Sequence, residues 1–410
     1  MKITFLSFLL IIVSQVAFAS KIEVCKTCTN NSISKAVQNA LPHDTLIIKV
    51  GEYVENDIII NKSLTIIGNG KVVIDVKEKG YGIIIKADSV SIKGITLTNV
   101  GKSYTKDFAA IYISKAKHFS VTNCVLTDVF FGLLIEKSHY GIVQNNAISS
   151  HAIEESASGN GVHMWYCSNL TIKNNDVHNL RDGIYLEFTS ESSITHNNSH
   201  NNLRYGLHFM FSNQDEYHYN TFTHNGAGVA VMFSKHINMT HNVFTKNWGS
   251  ASYGLLLKEI NDTKISDNIF KENTIGINAE GATRVEYLRN NFISNGWALK
   301  ISGACYTNNF KANNFENNSF DVSYNSKVND NLFDHNYWSS YTGYDLDKDG
   351  IGDIPFRPVK LFSYIVNRTP EAILLLRSLF MELLNFSEKV SPVFTPDNLM
   401  DNHPQMKKCK

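Results

Sequence analysis

The chain has 410 residues, 38 basic and 38 acidic side chains, 43% hydrophobic and 11% aromatic residues, and a formal charge of zero. That balance lacks the basic excess of a nucleic-acid binder, and the apolar content excludes global disorder. Two biases stand out, 46 Asn and a stretch free of proline between Pro42 and Pro355; together they read as many short strands joined by tight turns.

The chain opens with Lys2, an apolar run from Ile3 to Val13, and Ala17-Phe18-Ala19. A basic start, a short apolar stretch and small residues at −3 and −1 predict a secretory signal over residues 1–19, cleaved after Ala19. The alternative is an uncleaved anchor, but the run is shorter than the ~20 apolar residues a span needs. Loss of Lys2 would leave a net charge of minus one, 37 basic against 38 acidic side chains. Six cysteines are too sparse for a disulfide scaffold, and Cys25-Lys-Thr-Cys28 is the one close pair, readable as a local disulfide or a metal-binding thiol pair. Ser32 is placed to cap a helix over Ile33–Ala40, whose apolar face suits a lid on the first turn of whatever follows.

Self-similarity organises the middle. A small residue and an alternating apolar triplet recur as Ala110-Ile-Tyr-Ile, Gly132-Leu-Leu-Ile, Gly161-Val-His-Met, Gly183-Ile-Tyr-Leu, Gly206-Leu-His-Phe, Gly228-Val-Ala-Val, Gly254-Leu-Leu-Leu and Gly276-Ile-Asn-Ala, 22 to 29 residues apart. An asparagine series runs in phase: Asn123, Asn146, Asn175, Asn198, Asn220, Asn242, Asn268, Asn290 and Asn313. Both series lengthen near 149–160 and 246–252, which marks loop insertions. A unit of this length with short strands and Gly/Asn corners predicts a right-handed parallel β-helix over residues 20–335, N-terminal cap included. The stacked asparagines are expected to bond to one another and to take the left-handed corner conformation.

Alternation places the first and third residues of each triplet inside. The outward columns of the central coils then gather His163, Trp165, Tyr185, Glu187, His208, Met210 and Met232, while Met164 points into the core. His163 and His208 are two coils apart, about 10 Å, too far to share an ion. His208, Met210 and Met232 are closer, and imidazole with thioether suits Cu(I) better than calcium or magnesium. The competing readings are solvated turn histidines with thioethers packed for a partner, or a carbohydrate groove with Trp165 and Tyr185 as stacking surfaces. Ten of the fifteen histidines lie between His151 and His241.

Residues 336–368 form a separate, Asp-rich segment. Asp345, Asp347, Asp349 and Asp353, with Gly350 at the sixth position, read as the first part of a calcium loop that lacks the closing glutamate; the alternative is a set of Asx turns without an ion. Residues 369–410 begin with Thr369-Pro370-Glu371, a helix start, and the helix is expected to reach about Asn385, apolar on more than one face. It can cover the last coil or meet a membrane partner. The end, Met400-x-x-His403-x-x-Met406-x-x-Cys409, places four soft or imidazole ligands at every third position of an expected flexible tail, able to wrap Cu(I).

The export signal, the Ser-Ile-x-x-Ala-Val opening at Ser32, the Gly/Asn coils and above all the segment Asn336–Pro358 resemble the NosD family, periplasmic maturation factors for nitrous oxide reductase. The resemblance covers almost the whole chain after the leader. It implies a periplasmic protein that is no enzyme itself, working at an inner-membrane complex. The implied partners are an ABC transporter of NosY membrane and NosF ATPase type, a copper chaperone, and the reductase whose copper–sulfide cluster is assembled. It assigns no ligands; the copper residues above rest on local chemistry. The rival reading, a polysaccharide lyase or epimerase on the same scaffold, needs a base and an arginine or cation over one groove, and outward arginine is scarce in the central columns.

Overall fold

The structure is a computed structural model that describes residues 20–103, 105–249, 252–325, 330–376, 378–390 and 399–409; the expected leader lies outside them. Each central coil contributes three short strands, as in Val162–Trp165, Thr171–Lys173 and Asp176–His178. The first of each set stack into a 12-stranded sheet, and the other two belong to a 25-stranded sheet. The pairing is parallel and in register, so that Leu134, His163, Tyr185, His208 and Ala230 line one column. The expected parallel β-helix is the observed fold.

Inside, the coils align identical chemistry. Phe222, Phe244, Phe270, Phe292, Phe315 and Trp338 form one continuous ring stack with centroids 4.1 to 5.4 Å apart. Beside it runs an asparagine ladder. Asn242 accepts the N–H and the amide of Asn220, passes its own N–H and amide to Asn268, and gives its second amide hydrogen to the Tyr217 carbonyl. The ladder differs from the sequence expectation at two rungs. Asn197, not Asn198, occupies the rung between Asn175 and Asn220, because the inward residue two places on is Ser199, which bonds to the Gly206 carbonyl. Cys124, not Asn123, precedes Asn146. The left-handed residue at this corner is also the one before the rung: Asn123, Asn145, Asn174, His196, Tyr219 and His241 all have φ near +55°. A second ladder, Asn202, Asn225, Asn247, Asn273, Asn295 and Asn318, was not apparent from the sequence. The repeat glycines sit where coils touch: a Cβ on Gly228 would stand 2.4 Å from the Gly254 carbonyl oxygen.

At the N-terminus, helix Ile33–Asn39 buries Ile33, Ala36 and Val37, and Ser32 Oγ accepts the Lys35 N–H as a cap. Cys25 and Cys28 are joined as a local disulfide across a three-residue separation. The two insertions enter at one corner, between strands Ala147–Ser149 and Val162–Trp165 and between Val243–Thr245 and Leu255–Lys258. The C-terminal helix is not the single one expected. An α-helix spans Leu361–Arg368, a 3-10 turn Pro370–Leu375 and a second α-helix Leu379–Val390. Thr369 makes no side-chain cap, whereas Ser378 Oγ accepts the Met381 N–H and starts a new helix. These helices roof the late coils: Phe362 and Val366 pack with Ile275, Trp297 and Phe320.

Candidate functional site

The outer face of the 12-stranded sheet is where the columns diverge. Leu134, Ala230 and Leu256 are outward by register yet buried, Leu134 beneath Phe131, Phe130 and Tyr112. Between them three rings stack, His163 on Tyr185 at 4.6 Å and Tyr185 on His208 at 4.5 Å. His208 is 4% exposed and Asp182, beside it, 0%. Asp182 faces His208 Nδ1 at 3.8 Å and Arg204 Nε at 3.3 Å. Tyr205 closes the far side of His208 at 4.8 Å, and the Arg204 guanidinium lies over the Tyr205 ring at 4.9 Å. Both His208 ring nitrogens, His163 Nε2 and one Asp182 oxygen are buried without a hydrogen-bond partner. Such groups cost about 1–3 kcal/mol each when left unpaired, so their clustering makes this groove the candidate site. Burial, with Glu187 and Asp182 adding to it, pushes the Tyr185 phenol up to about 12. The His163 imidazole, 3.8 Å away, holds Glu187 below the usual carboxylate range.

The predicted residues are partly assembled. Tyr185 O–H donates to Met210 Sδ at 3.5 Å, and Met232 is paired with Met210 on the next coil. His163 and His208 are held apart by the Tyr185 ring, as their spacing required. Trp165 carries the Lys137 ammonium at 5.0 Å. Met164 is fully buried in the core. Four of the central histidines, His196, His224, His236 and His241, are left-handed corner residues, the plain structural role. Beyond the sulfur column, Tyr166, Phe188, Phe211 and Phe233 form an exposed ring ribbon with centroids 4.7 to 5.1 Å apart.

Sequence reasoning missed Asp182, Arg181 and Arg204. They come from the turn before each repeat glycine; Asn160, Asp182 and Tyr205 stand directly ahead of Gly161, Gly183 and Gly206 and make a third outward column. Reading that column would have found them, because an acid there is out of keeping with its aromatic and aliphatic neighbours. Arg181 Nε donates to Asn160 Oδ1 at 3.2 Å. Arginine is scarce in the central columns, as expected, but Arg181 and Arg204 bring cations to the groove from the turns beside them.

The C-terminal segment is not a flexible tail. Asp401 is fully buried and bridges to Phe333 and Phe356. Its Oδ2 accepts Asn336 N–H, the Asn336 amide and Trp338 Nε1 at 2.9 to 3.0 Å, so a carboxylate takes the last rung of the ladder. The four predicted ligands are not gathered. Met400 lines a cavity with Phe356, Phe362 and Met381. His403 Nδ1 contacts Asp334 at 2.9 Å, beside His335, while Cys409 Sγ donates to the His335 carbonyl at 3.4 Å. Met406 N–H donates to the Gly350 carbonyl. In the Asp loop, Asp345, Asp347 and Asp349 offer oxygens within 4.8 Å of one another. Each also accepts a backbone N–H, from Lys348 and Gly350, Asp349 and Ile351 respectively, the Asx-turn arrangement; Asp353 turns back to the Leu346 N–H.

A family model described as "Periplasmic copper-binding protein (NosD)" matches residues 144–344. Two proteins named "Probable ABC transporter binding protein NosD" are similar over most of their length. The one from Stutzerimonas stutzeri is 27% identical over 82% of this chain and 80% of its own, and the one from Pseudomonas aeruginosa 26% over 80% and 81%. The chain is similar to NosD proteins over most of its length. The NosD match encloses the whole groove, Asn160 to Met232, and ends before the Asp loop and the Met400–Cys409 segment. Among solved structures, the A-module of a mannuronan C-5 epimerase of Azotobacter vinelandii aligns at 14% identity and TM-score 0.51 over 75% of this chain and 91% of that one. A DFA-IIIase of Arthrobacter chlorophenolicus gives 14% and 0.51 over 68% and 88%. At such identity these neighbours share the fold and no more.

Proposed function

We propose that the protein is a periplasmic accessory factor that holds and passes on copper for assembly of the copper–sulfide centre of nitrous oxide reductase, working with an ABC transporter of NosY and NosF type and a copper chaperone. The observation that carries this reading is the groove: buried imidazole nitrogens of His163 and His208 without partners, beside a thioether pair, Met210 and Met232, on adjacent coils. Imidazole and thioether are donors for Cu(I). The names of the relatives, as transporter-binding proteins, support the partner. So does the second C-terminal helix, whose Leu379, Phe380, Leu383 and Phe386 are 48 to 71% exposed while Met381 and Leu384 pack inward. An apolar face of that kind suits a protein or membrane surface.

A second reading is favoured by Asp182, His208 and Arg204, an acid, an imidazole and a cation gathered in one groove, the set that proton abstraction beside a sugar carboxylate needs. One experiment separates the two. In an anaerobic Cu(I) titration against a competing chelator, M210L/M232L is expected to bind at least tenfold more weakly than wild type, and M400L/M406L/C409S, which keeps the buried Asp401, to bind as wild type does. Equal affinity of all three would remove copper from the groove, and turnover of uronate polymers by the wild type would replace the assembly role with the enzymatic one.

A further inference from the structure

A different face of the solenoid carries a set of donors that the groove does not use. Strands Asp176–His178 and Asn198–His200 lie on adjacent coils of the 25-stranded sheet. Val177 and Ser199, between the outward positions, are buried, so Asp176, His178, Asn198 and His200 form a two-by-two patch on the surface. The register sets His178 against His200, and the imidazoles stack at 4.7 Å with their planes 16° apart. Asp176 stands between the ring nitrogens, Oδ1 3.3 Å from His200 Nε2 and Oδ2 3.9 Å from His178 Nε2. The carboxylate is positioned by the Asn198 amide, which donates to Oδ1 at 2.7 Å. Asn201 engages His200 Nδ1 at 3.0 Å, so it is Nε2 that faces the patch.

We propose that Asp176, His178 and His200 form a binding site for a divalent transition-metal ion, one imidazole from each coil and a carboxylate between them. The spacing favours an ion over an ion pair. Metal–ligand bonds of about 2.0–2.1 Å put neighbouring tetrahedral donors about 3.3 Å apart. One donor pair is already at 3.3 Å and the other is at 3.9 Å. The cluster of Asp334, His335 and His403 shows the contrasting case: there the carboxylate makes direct contacts of 2.8 and 2.9 Å to both rings, and Lys311 adds a cation at 3.8 Å. Among the described residues no lysine or arginine pairs with Asp176, which leaves room for the positive charge of an ion. The donors contain nitrogen and oxygen but no sulfur, so the ion is Cu(II) or Zn(II) rather than Cu(I), with Cu(II) the tighter by the usual affinity order. Half-exposed on a strand surface, the site keeps coordination positions open to water or to an exchanging donor. A second-shell amide that fixes the carboxylate is what such sites commonly possess.

The site is independent of the groove, and the test keeps the two apart. The full chain is titrated with Cu(II) ions alone against a chelator in air, and the bound ion is examined by electron paramagnetic resonance. The expected result is one Cu(II) equivalent with hyperfine coupling to two imidazole nitrogens. H178A/H200A should lose that equivalent, D176N should weaken it at least tenfold, and M210L/M232L should keep it. All three residues are surface positions, so an unchanged melting temperature verifies that the variants fold. Wild-type stoichiometry and spectrum in H178A/H200A would overturn the assignment, as would a signal lost in M210L/M232L instead. Failure of Cu(I) binding in the groove would leave this result untouched.

Discussion

The 12-stranded sheet presents one outer face along its length, yet its central and late coils treat that face in opposite ways. From Ile275 to Phe320 the residues ahead of the repeat positions are Ile275, Trp297 and Phe320, and the C-terminal helices cover them with Phe362 and Val366. Over the preceding coils the corresponding residues are Asn160, Asp182 and Tyr205, no α-helix among the described residues packs on them, and polar atoms stay buried without partners. Backbone, register and core are the same in both. What differs is whether the outward columns carry apolar rings packed under helices or polar groups left without partners, and a solenoid allows this because each coil's core is closed by its neighbours above and below.

The comparison predicts that the two stretches respond oppositely to truncation. The largest effect is expected under the helices: Trp297 stacks on Phe320 at 4.1 Å and is 7% exposed, so Trp297→Ala should cost about 3–5 kcal/mol in urea unfolding. In the groove the sign should reverse. Replacing His208 by leucine removes a buried imidazole with no hydrogen bond, and H208L is expected to gain about 1–2 kcal/mol while losing whatever the groove binds. A destabilised H208L would mean that the imidazole is structural and that the two stretches are alike. The smallest effect tests a buried polar group with no part in the groove. Asp215 accepts the Ser192 N–H through one oxygen, the other has no partner, and burial pushes the carboxyl up to about 8. The folded state therefore keeps a proton that the unfolded chain releases at about pH 4. Stability from this group is full below that pH and is lost as pH rises through about 8. Asp215→Asn should raise the melting temperature by a few degrees at pH 8, with the gain vanishing toward pH 4.

The fold was legible because one period governs the chain: glycine, apolar triplet and asparagine recur together, and the insertions fell where both series lengthened. What went astray is local. Ser199 in an inward slot displaced the asparagine assignment by one residue, since a polar side chain bonded to the Gly206 carbonyl breaks the apolar pattern without breaking the coil. Ser378 divided one apolar run into two helices. The groove was half visible. His163, Tyr185, His208, Met210 and Met232 follow from strand alternation, but Asp182, Arg181 and Arg204 sit on turns, where alternation no longer says which way a side chain points. The order of the Met400–Cys409 segment was invisible for another reason: its anchor is Asp401, and only the three-dimensional end of the ladder shows what that carboxylate binds.

That end has an electrical consequence. In every rung the amide oxygen faces the coil before and the amide N–H the coil after, so the side-chain dipoles from Asn146 to Asn336 add like those of a helix. The column ends with its positive pole toward the C-terminus, and Asp401 sets a carboxylate on that pole. The closing segment is thus an electrostatic terminator as well as a lid. A chain whose last rung were neutral would leave a polarised stub of donors, open to the next acceptor that came along.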